Sequence, residues 1–327
     1  MKNFWKNLPR PIMVLAPMAD VTDASFRRVI AKYGKPDVTW TEFVSADGLF
    51  LGGRDALMKD LMFTESERPI IAQFFTSRPE MMEKAAALAL ELGFDGVDIN
   101  MGCPDKSIER QGAGAALIKT PELAREIIKA AKKGTQGKIP VSVKTRIGFN
   151  TNQLDTWLPE LLAEEPAVVT VHARTRKEMS KVPARWEEVK RAVEIRDAFR
   201  NSEGNKIETL IFGNGDALDL NDARAKAELS GADGVMLGRA IFGHPWLFDK
   251  TKKFSEILPE ERLKVLVEHT NLYEELLGGS KNFAIMKKHF KAYVNGWEGA
   301  KELRAKLMET ENAKQVDEII STYLKNI

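Results

Sequence analysis

The chain has 327 residues, of which 43% are hydrophobic and 29% charged, and its formal charge is +2. That length suits one large α/β barrel with an appendage or two ordinary domains, and a charge so near neutral gives nucleic-acid binding no support without a local basic patch. A single cysteine excludes an intramolecular disulfide and a multi-cysteine zinc centre, and with 12 methionines it suits a reducing compartment. Met1 to Arg10 lack the apolar stretch of a signal peptide, and no run approaches a membrane span. A cytoplasmic, soluble protein with no membrane or metal partner is therefore expected.

Eight short apolar runs follow one another, each with a helical pattern behind it. They are Ile12 to Ala16, Val38 to Phe43, Ile70 to Phe74, Val97 to Ile99, Val141 to Lys144, Val168 to His172, Leu210 to Phe212 and Val235 to Leu237. Eight such units in about 240 residues predict the α/β fold in which parallel strands close into a (β/α)8 TIM barrel ringed by helices. An open doubly wound sheet would carry a Gly-rich fingerprint after its first strand, where Pro17-Met18-Ala19-Asp20 stands instead. Asp23 is placed to cap a helix through Phe26, Val29 and Ile30, and Pro79 and Pro121 sit just inside two further helix starts. Gly93-Phe94-Asp95-Gly96-Val97 is echoed by Gly231-Ala232-Asp233-Gly234-Val235, and both read as helix stop, tight turn and buried strand.

After Pro245-Trp246-Leu247-Phe248 the rhythm ends. Helical patterns alone follow, over Glu260 to Leu277, Phe283 to Val294, Ala300 to Met308 and Val316 to Leu324. A boundary near residue 250 is expected, dividing a barrel domain, 1–250, from a small C-terminal all-helical domain, 251–327.

Cys103 directly follows the fourth run, between Gly102 and Pro104. A lone cysteine is more often a small core hydrophobe than a reactive group. Its place on a loop between two turn formers, at the end of a buried strand, argues instead for a displayed thiol. Barrel chemistry sits at the carboxyl ends of the strands, and polar residues gather there: Glu42, Gln73, Asn100, Lys144, Arg146, His172, Arg174, Asn214, Asp216 and Arg239. Any one of them could merely satisfy loop backbone. The set predicts a convergent polar pocket. Lys144 follows Val141-Ser142-Val143, so burying it calls for an anionic partner, either a phosphate or an electron-rich ring. Gly213-Asn214-Gly215-Asp216 and Gly238-Arg239-Ala240 follow the last two strands, where such barrels hold phosphate, with Arg239 as the counter-charge.

The chain resembles the tRNA-dihydrouridine synthases. The resemblance rests on Ala16-Pro17-Met18 with Thr22-Asp23 and Phe26-Arg27, on Gln73, and on Asp98-Ile99-Asn100-Met101-Gly102-Cys103-Pro104. It continues through Gly112-Ala113-Gly114-Ala115, Val143-Lys144-Thr145-Arg146, His172-Ala173-Arg174-Thr175, Asn214-Gly215-Asp216 and Met236-Leu237-Gly238-Arg239 with Pro245-Trp246-Leu247-Phe248. It implies an FMN-bearing barrel followed by a helical tRNA-binding domain, reducing the C5–C6 double bond of specific uridines, with NADPH or NADH as reductant. By position, Pro17, Met18, Ala19 and Gln73 would line the isoalloxazine ring, Lys144 and His172 would contact the flavin, and Asn214, Gly215, Asp216, Gly238 and Arg239 would hold its phosphate. Cys103 would be the general acid that protonates C5 after hydride reaches C6, and Asn100 and Arg174 would lie near the ring or the target base.

In the tail, Lys281, Lys287, Lys288 and Lys291 with His289 form a run without an acid, and Lys287 and Lys291 share a helix face as candidate tRNA contacts. On pattern alone this run reads equally well as a solvated face opposite Phe283, Met286, Phe290 and Val294. A monomer is expected. The segment Lys177 to Trp186 departs from the family's usual continuation, as does Thr145 between Lys144 and Arg146. Two rival readings are a flavin dehydrogenase of a free pyrimidine, similar to dihydroorotate dehydrogenases, and a non-catalytic RNA-binding protein. The helical tail argues against the first; intact Cys103, Lys144 and His172 argue against the second.

Overall fold

The computed structural model describes residues 3–326. Its strands are β1 Ile12–Leu15, β2 Thr39–Ser45, β3 Ile70–Phe75, β4 Gly96–Met101, β5 Val141–Arg146, β6 Val168–His172, β7 Leu210–Asn214 and β8 Gly234–Leu237. They form one parallel sheet in the order β1-β8-β7-β6-β5-β4-β3-β2, and a single bridge between Val14 and Val38 joins its two edges. The expected barrel is what forms. Both faces of the strands are apolar because both are covered: Val14, Trp40, Ile71, Phe212 and Met236 fill the interior, while Val44, Phe74, Ile99 and Val143 pack under the outer helices.

Trp5, from the short turn Phe4–Asn7, packs on Phe212 at 5.6 Å and Trp40 at 6.0 Å between ring centres. Those partners belong to the barrel's inner cluster, so the large indole adds to the filling of the lumen rather than to an open pore. The β2–β3 register shifts between Trp40 and Phe43. That bulge places Trp40 in the inner core, Phe43 in the wall of the cavity described below, and Glu42 against the tail.

Asp23 accepts from the Phe26 N–H at 3.0 Å and caps helix Ala24–Tyr33, as its sequence position requires. The tail helix Pro259–Leu277 packs along that capped helix, Lys287–Tyr293 touches it through His289 on Phe26, and Ala300–Met308 and Ala313–Leu324 pack on these two tail helices. Phe26, Val29 and Ile30 share one core with Leu263, Leu266, Phe290 and Tyr293. The sequence pattern Phe283 to Val294 is not one helix. A 3-10 turn, Phe283–Met286, comes first, because the Asn282 side chain accepts from the Ala284 N–H at 2.8 Å and fixes a tight start.

Two members of the basic run turn inward. His289 is completely buried, 4.7 Å from His269 and 4.9 Å from Phe26 between ring centres, because the helix face that carries it is the face that packs on the barrel. Lys281 Nζ lies 2.8 Å from Glu42 Oε2 and 2.8 Å from Asp60 Oδ1, so its charge is consumed by the barrel. Lys287 and Lys288 remain partly exposed and Lys291 exposed. Among the described residues no helix is long and apolar enough to cross a membrane, and no group of three metal-ligating side chains occurs.

Candidate active site

A cavity of about 640 Å³ opens at the carboxyl ends of the strands, where the barrel rule places chemistry. All eight strands or the loops after them contribute to its wall. Pro17, Met18, Gln73, Asn100, Cys103, Lys144, His172, Arg174, Asn214, Gly215, Asp216, Gly238 and Arg239 line it, as the sequence predicts. Ala19 does not; it is exposed beyond the rim, and Lys287 and Lys291 lie on the tail outside the wall. Phe43, Ser180 and Leu218 line it without having been expected. An apolar residue beside Glu42 at a strand end is a weak signal for Phe43; the two loop residues give none.

The cysteine is fixed through its backbone. Asn100 Oδ1 accepts from the N–H groups of Gly102 at 3.1 Å and Cys103 at 2.9 Å. The Asn100 amide donates to Gln73 Oε1 at 3.1 Å, and the Gln73 amide donates to Asp98 Oδ2 at 2.5 Å. Asp98, buried beneath the cavity and held by Ser142 at 2.5 Å, can only accept when ionised, so it sets the direction of every bond up to the cysteine. Burial raises its carboxyl to about 6. On the other side Ala115 N–H donates to the Cys103 carbonyl at 3.0 Å, and Gly114, at φ +61°, leaves no room for a Cβ, which would come within 2.8 Å of that oxygen. Arg146 Nε donates to the Gly102 carbonyl at 2.7 Å and Nη1 to the Thr175 carbonyl at 3.2 Å, tying the cysteine loop to the loop after β6.

Burial pushes the Cys103 thiol up, against the opposing backbone hydrogen bond from Asp105, which keeps it protonated near neutral pH. The wall facing the cavity is otherwise cationic. Lys144 Nζ has no hydrogen-bonding partner among the described residues, and burial together with Arg146 pushes its ammonium down to about 8. His172 is pushed well down by burial and by the surrounding cations, so it is neutral. An arginine only donates, and Arg174 Nη1 lies 3.1 Å from His172 Nε2; that nitrogen is therefore the acceptor and the ring proton sits on Nδ1. Asp216 bonds Arg174 through one oxygen and Arg239 through the other, the latter at 2.7 Å. Its carboxyl is held below the usual range by Arg174 first. The Asn214 amide donates to the Met236 carbonyl at 2.7 Å and joins the last two strand ends. Gly215, at φ +127°, passes so close to Ala184 that a Cβ would meet it at 2.7 Å.

Fold and cavity together define a (β/α)8-barrel enzyme with a fixed thiol and a wall that demands an anion. The profile of the family "Dihydrouridine synthase (Dus)" matches residues 14–327, and the chain belongs to that oxidoreductase family. It is 39% identical to the probable tRNA-dihydrouridine synthase 2 of Bacillus subtilis strain 168, over 98% of this chain and 97% of that one. A probable tRNA-dihydrouridine synthase of Staphylococcus epidermidis is 37% identical over 98% of this chain and 96% of its own length. Among solved structures, morphinone reductase matches with a TM-score of 0.51 at 13% identity, covering 73% of this chain and 84% of that one. 2-Naphthoyl-CoA reductase matches with a TM-score of 0.54 at 12% identity, covering 73% and 49%. Both share the barrel fold.

Proposed function

We propose that this protein is a flavin-dependent tRNA-dihydrouridine synthase, with FMN in the barrel cavity and NADPH or NADH as reductant. The observation that carries it is the ammonium of Lys144, partly buried and without a hydrogen-bonding partner among the described residues, in the same cavity wall as the protonated thiol of Cys103. An ammonium so placed fits an electron-rich, anionic ring, and the arginine-bearing loops after β7 and β8 fit a phosphate. Residues 1–250 would hold the flavin. Residues 251–327, with Lys287 and Lys291, would grip tRNA phosphates. A cytoplasmic monomer with no metal and no membrane partner completes the reading.

Reduced FMN would supply the hydride that reaches C6 of the uracil. Cys103 holds a proton at Sγ for delivery to C5, and its raised pKa keeps that proton available. Lys144 offsets negative charge in the cavity, and neutral His172 presents its Nδ1–H as a donor. Pro17, Met18 and Gln73 shape the wall, and Gly215 and Gly238 let backbone approach the phosphate. Asp216 orients Arg174 and Arg239, because both its oxygens are already engaged by them. Asn100 braces the cysteine loop, and Arg174, which lines the cavity, would lie near the ring or the target base. The uridine must leave its stack to reach this depth.

Purified protein should be yellow, release FMN on denaturation, and form dihydrouridine in unmodified tRNA when supplied with NADPH or NADH. A colourless preparation that cannot be reconstituted with FMN would reject the flavin reading. A yellow enzyme that reduces free pyrimidines but not tRNA would move it to the pyrimidine dehydrogenases.

A further inference from the structure

The segment between β6 and the helix Trp186–Ala198 is pinned at many points yet shows water an apolar tip. The Glu178 carboxylate accepts from the Thr175 N–H at 2.7 Å and from both terminal nitrogens of Arg185, at 2.9 and 2.8 Å. Arg174 Nε donates to the Val182 carbonyl at 2.6 Å, the Ala184 N–H donates to Asp216 at 2.9 Å, and Arg146 Nη1 donates to the Met179 carbonyl at 3.3 Å. Arg176 pairs with Glu109 through two nitrogens, joining this loop to the helical turn that follows Cys103. Glu178, Arg176 and Arg185 are spent on holding its shape, while Lys177 and Lys181 stay exposed. Left outside are Met179, 43% exposed, and Val182, 36% exposed, on either side of Ser180, which lines the cavity.

Met179 also adopts φ +54°, a left-handed conformation that residues other than glycine rarely adopt. Such strain persists where the surroundings over-determine it, and here the Arg146 bond and the Glu178 clamp do so. The next loop adds Leu218, 74% exposed on the cavity wall. Exposed Lys177, Lys181 and Arg239 flank these apolar groups.

We propose that the tip Met179–Val182, with Leu218 opposite, is the platform on which the bases flanking the target uridine pack when that uridine is drawn into the cavity, while Lys177 and Lys181 take the adjoining phosphates. The inference rests on the tRNA reading above and names the element that selects the local RNA context. Single-stranded RNA fits this surface better than a protein does. Unstacked bases seek rigid apolar faces beside cationic side chains, and this surface is continuous with the cavity that receives the base. The pinning matters because a mobile tip would lose ordering entropy on contact.

The test uses the full chain with flavin bound. Unmodified tRNA binding is measured without reductant for the parent, for M179S/V182S and for K177A/K181A, across a salt series. M179S/V182S should bind about tenfold more weakly with an unchanged slope of log affinity against log salt, since it removes stacking and no charge. K177A/K181A should reduce the magnitude of that slope by about 1.4, at roughly 0.7 for each of the two phosphates no longer neutralised. Melting temperatures within a few degrees of the parent confirm that the loop still folds. Parental affinity in M179S/V182S overturns the platform, and a parental slope in K177A/K181A overturns the assignment of phosphates to these lysines. Dihydrouridine formation by the parent is scored separately. A parent that binds tRNA through the tip yet forms no dihydrouridine sinks the proposed reaction and leaves the platform standing.

Discussion

Two lysines of this protein are partly withdrawn from bulk water, one in the barrel and one in the tail, and the protein treats them in opposite ways. At the junction with the tail, Lys281 Nζ sits 2.8 Å from each of two carboxylates, Glu42 and Asp60, and its pKa is pushed up by Glu42. In the cavity, Lys144 has no partner and its pKa falls to about 8. The first arrangement is complete as it stands. A buried ion pair with both members satisfied fixes one geometry, here the seat of the tail on the barrel, and Glu42 passes the constraint on by accepting from the Asp20 N–H of the loop after β1. The second is incomplete, and its missing half is the best pointer to a ligand. The unpaired charge marks function; the paired one marks architecture.

The largest effect should come from the cavity side. Replacing Cys103 with Ala removes the proton donor while leaving the backbone bonds to Asn100 intact, so flavin content should hold and dihydrouridine formation should fall about 10²- to 10⁴-fold. Turnover at the parental rate would take the thiol out of the chemistry and leave only its packing.

The tail offers a third way of burying a titratable group, which is to forgo the charge. His269 and His289 are completely buried and none of their ring nitrogens has a partner among the described residues. Burial takes His269 down to about 3, and His289 falls well below 6.5 through burial and His269, with Lys288 lowering it and Asp23 raising it. Both are neutral in the fold, so the unfolded chain binds more protons below about pH 6.5, and the contribution each makes is lost as pH falls. At pH 5 the loss is about 2 kcal/mol per histidine whatever the folded value, provided it lies below 5. Glu42 near 7 and Asp98 near 6 act in the opposite sense, protonating in the folded state first, so the parent's own curve between pH 5 and 6.5 should be shallow. The measurement is therefore a difference: in urea unfolding, H269L/H289L should gain on the parent as the solution is acidified. A gap independent of pH would show that these rings are hydrated.

Lys281→Met breaks the paired arrangement and should destabilise the protein by about 2–3 kcal/mol, somewhat under the usual penalty for stripping a partner from a buried charge. The penalty is capped because Glu42, already near 7, can take up a proton once Lys281 is gone. Thermal melting checks the size. Retained stability would mean that the junction is open to water.

The barrel was legible because its strands, covered on both faces, read as uninterrupted apolar runs. Val168 to His172 coincides with β6, whereas β4, β5 and β7 extend past the predicted ends to Met101, Arg146 and Asn214. Apart from Gly213, those extra residues are polar or follow polar ones, so hydrophobic pattern stops where the site begins. The cavity side chains could be named from strand-end position and family resemblance. Their orientation could not, since the bonds from Asp98 through Gln73 and Asn100 to the cysteine backbone join residues 25 and 27 positions apart, as well as close neighbours. The tail misled for a related reason. Lys281 and His289 look like surface residues in a basic run, and only the packing of the bend that carries Lys281 against Glu42 of β2, and of the helix that carries His289 against Phe26, reveals an acid pair for one and an aromatic bed for the other. Ser180 and Leu218 lie on irregular loops, where no periodicity exists to read.

The finest separation of the two lysines comes from Lys144→Met, for which the stability effect should be small and of the opposite sign. Methionine keeps the aliphatic contacts of the stem and deletes a charge that the flavin-free fold does not pair. The flavin-free protein should therefore gain about 1 kcal/mol at pH 7, less than full burial would imply because part of the side chain reaches the open cavity. The sign can be followed with pH. The folded value, about 8, lies below the ordinary 10.5, so between those limits the unfolded chain holds the proton that the fold has released and the parent gains stability as pH rises. The variant's advantage should shrink through that window and vanish near its upper end. Flavin should reverse the order, stabilising the parent more than the variant, because in the parent it supplies the partner that Lys144 lacks. Equal flavin stabilisation of both proteins would show that the ammonium does not face the ring, and with it the contrast between the paired and the waiting lysine would lose its functional meaning.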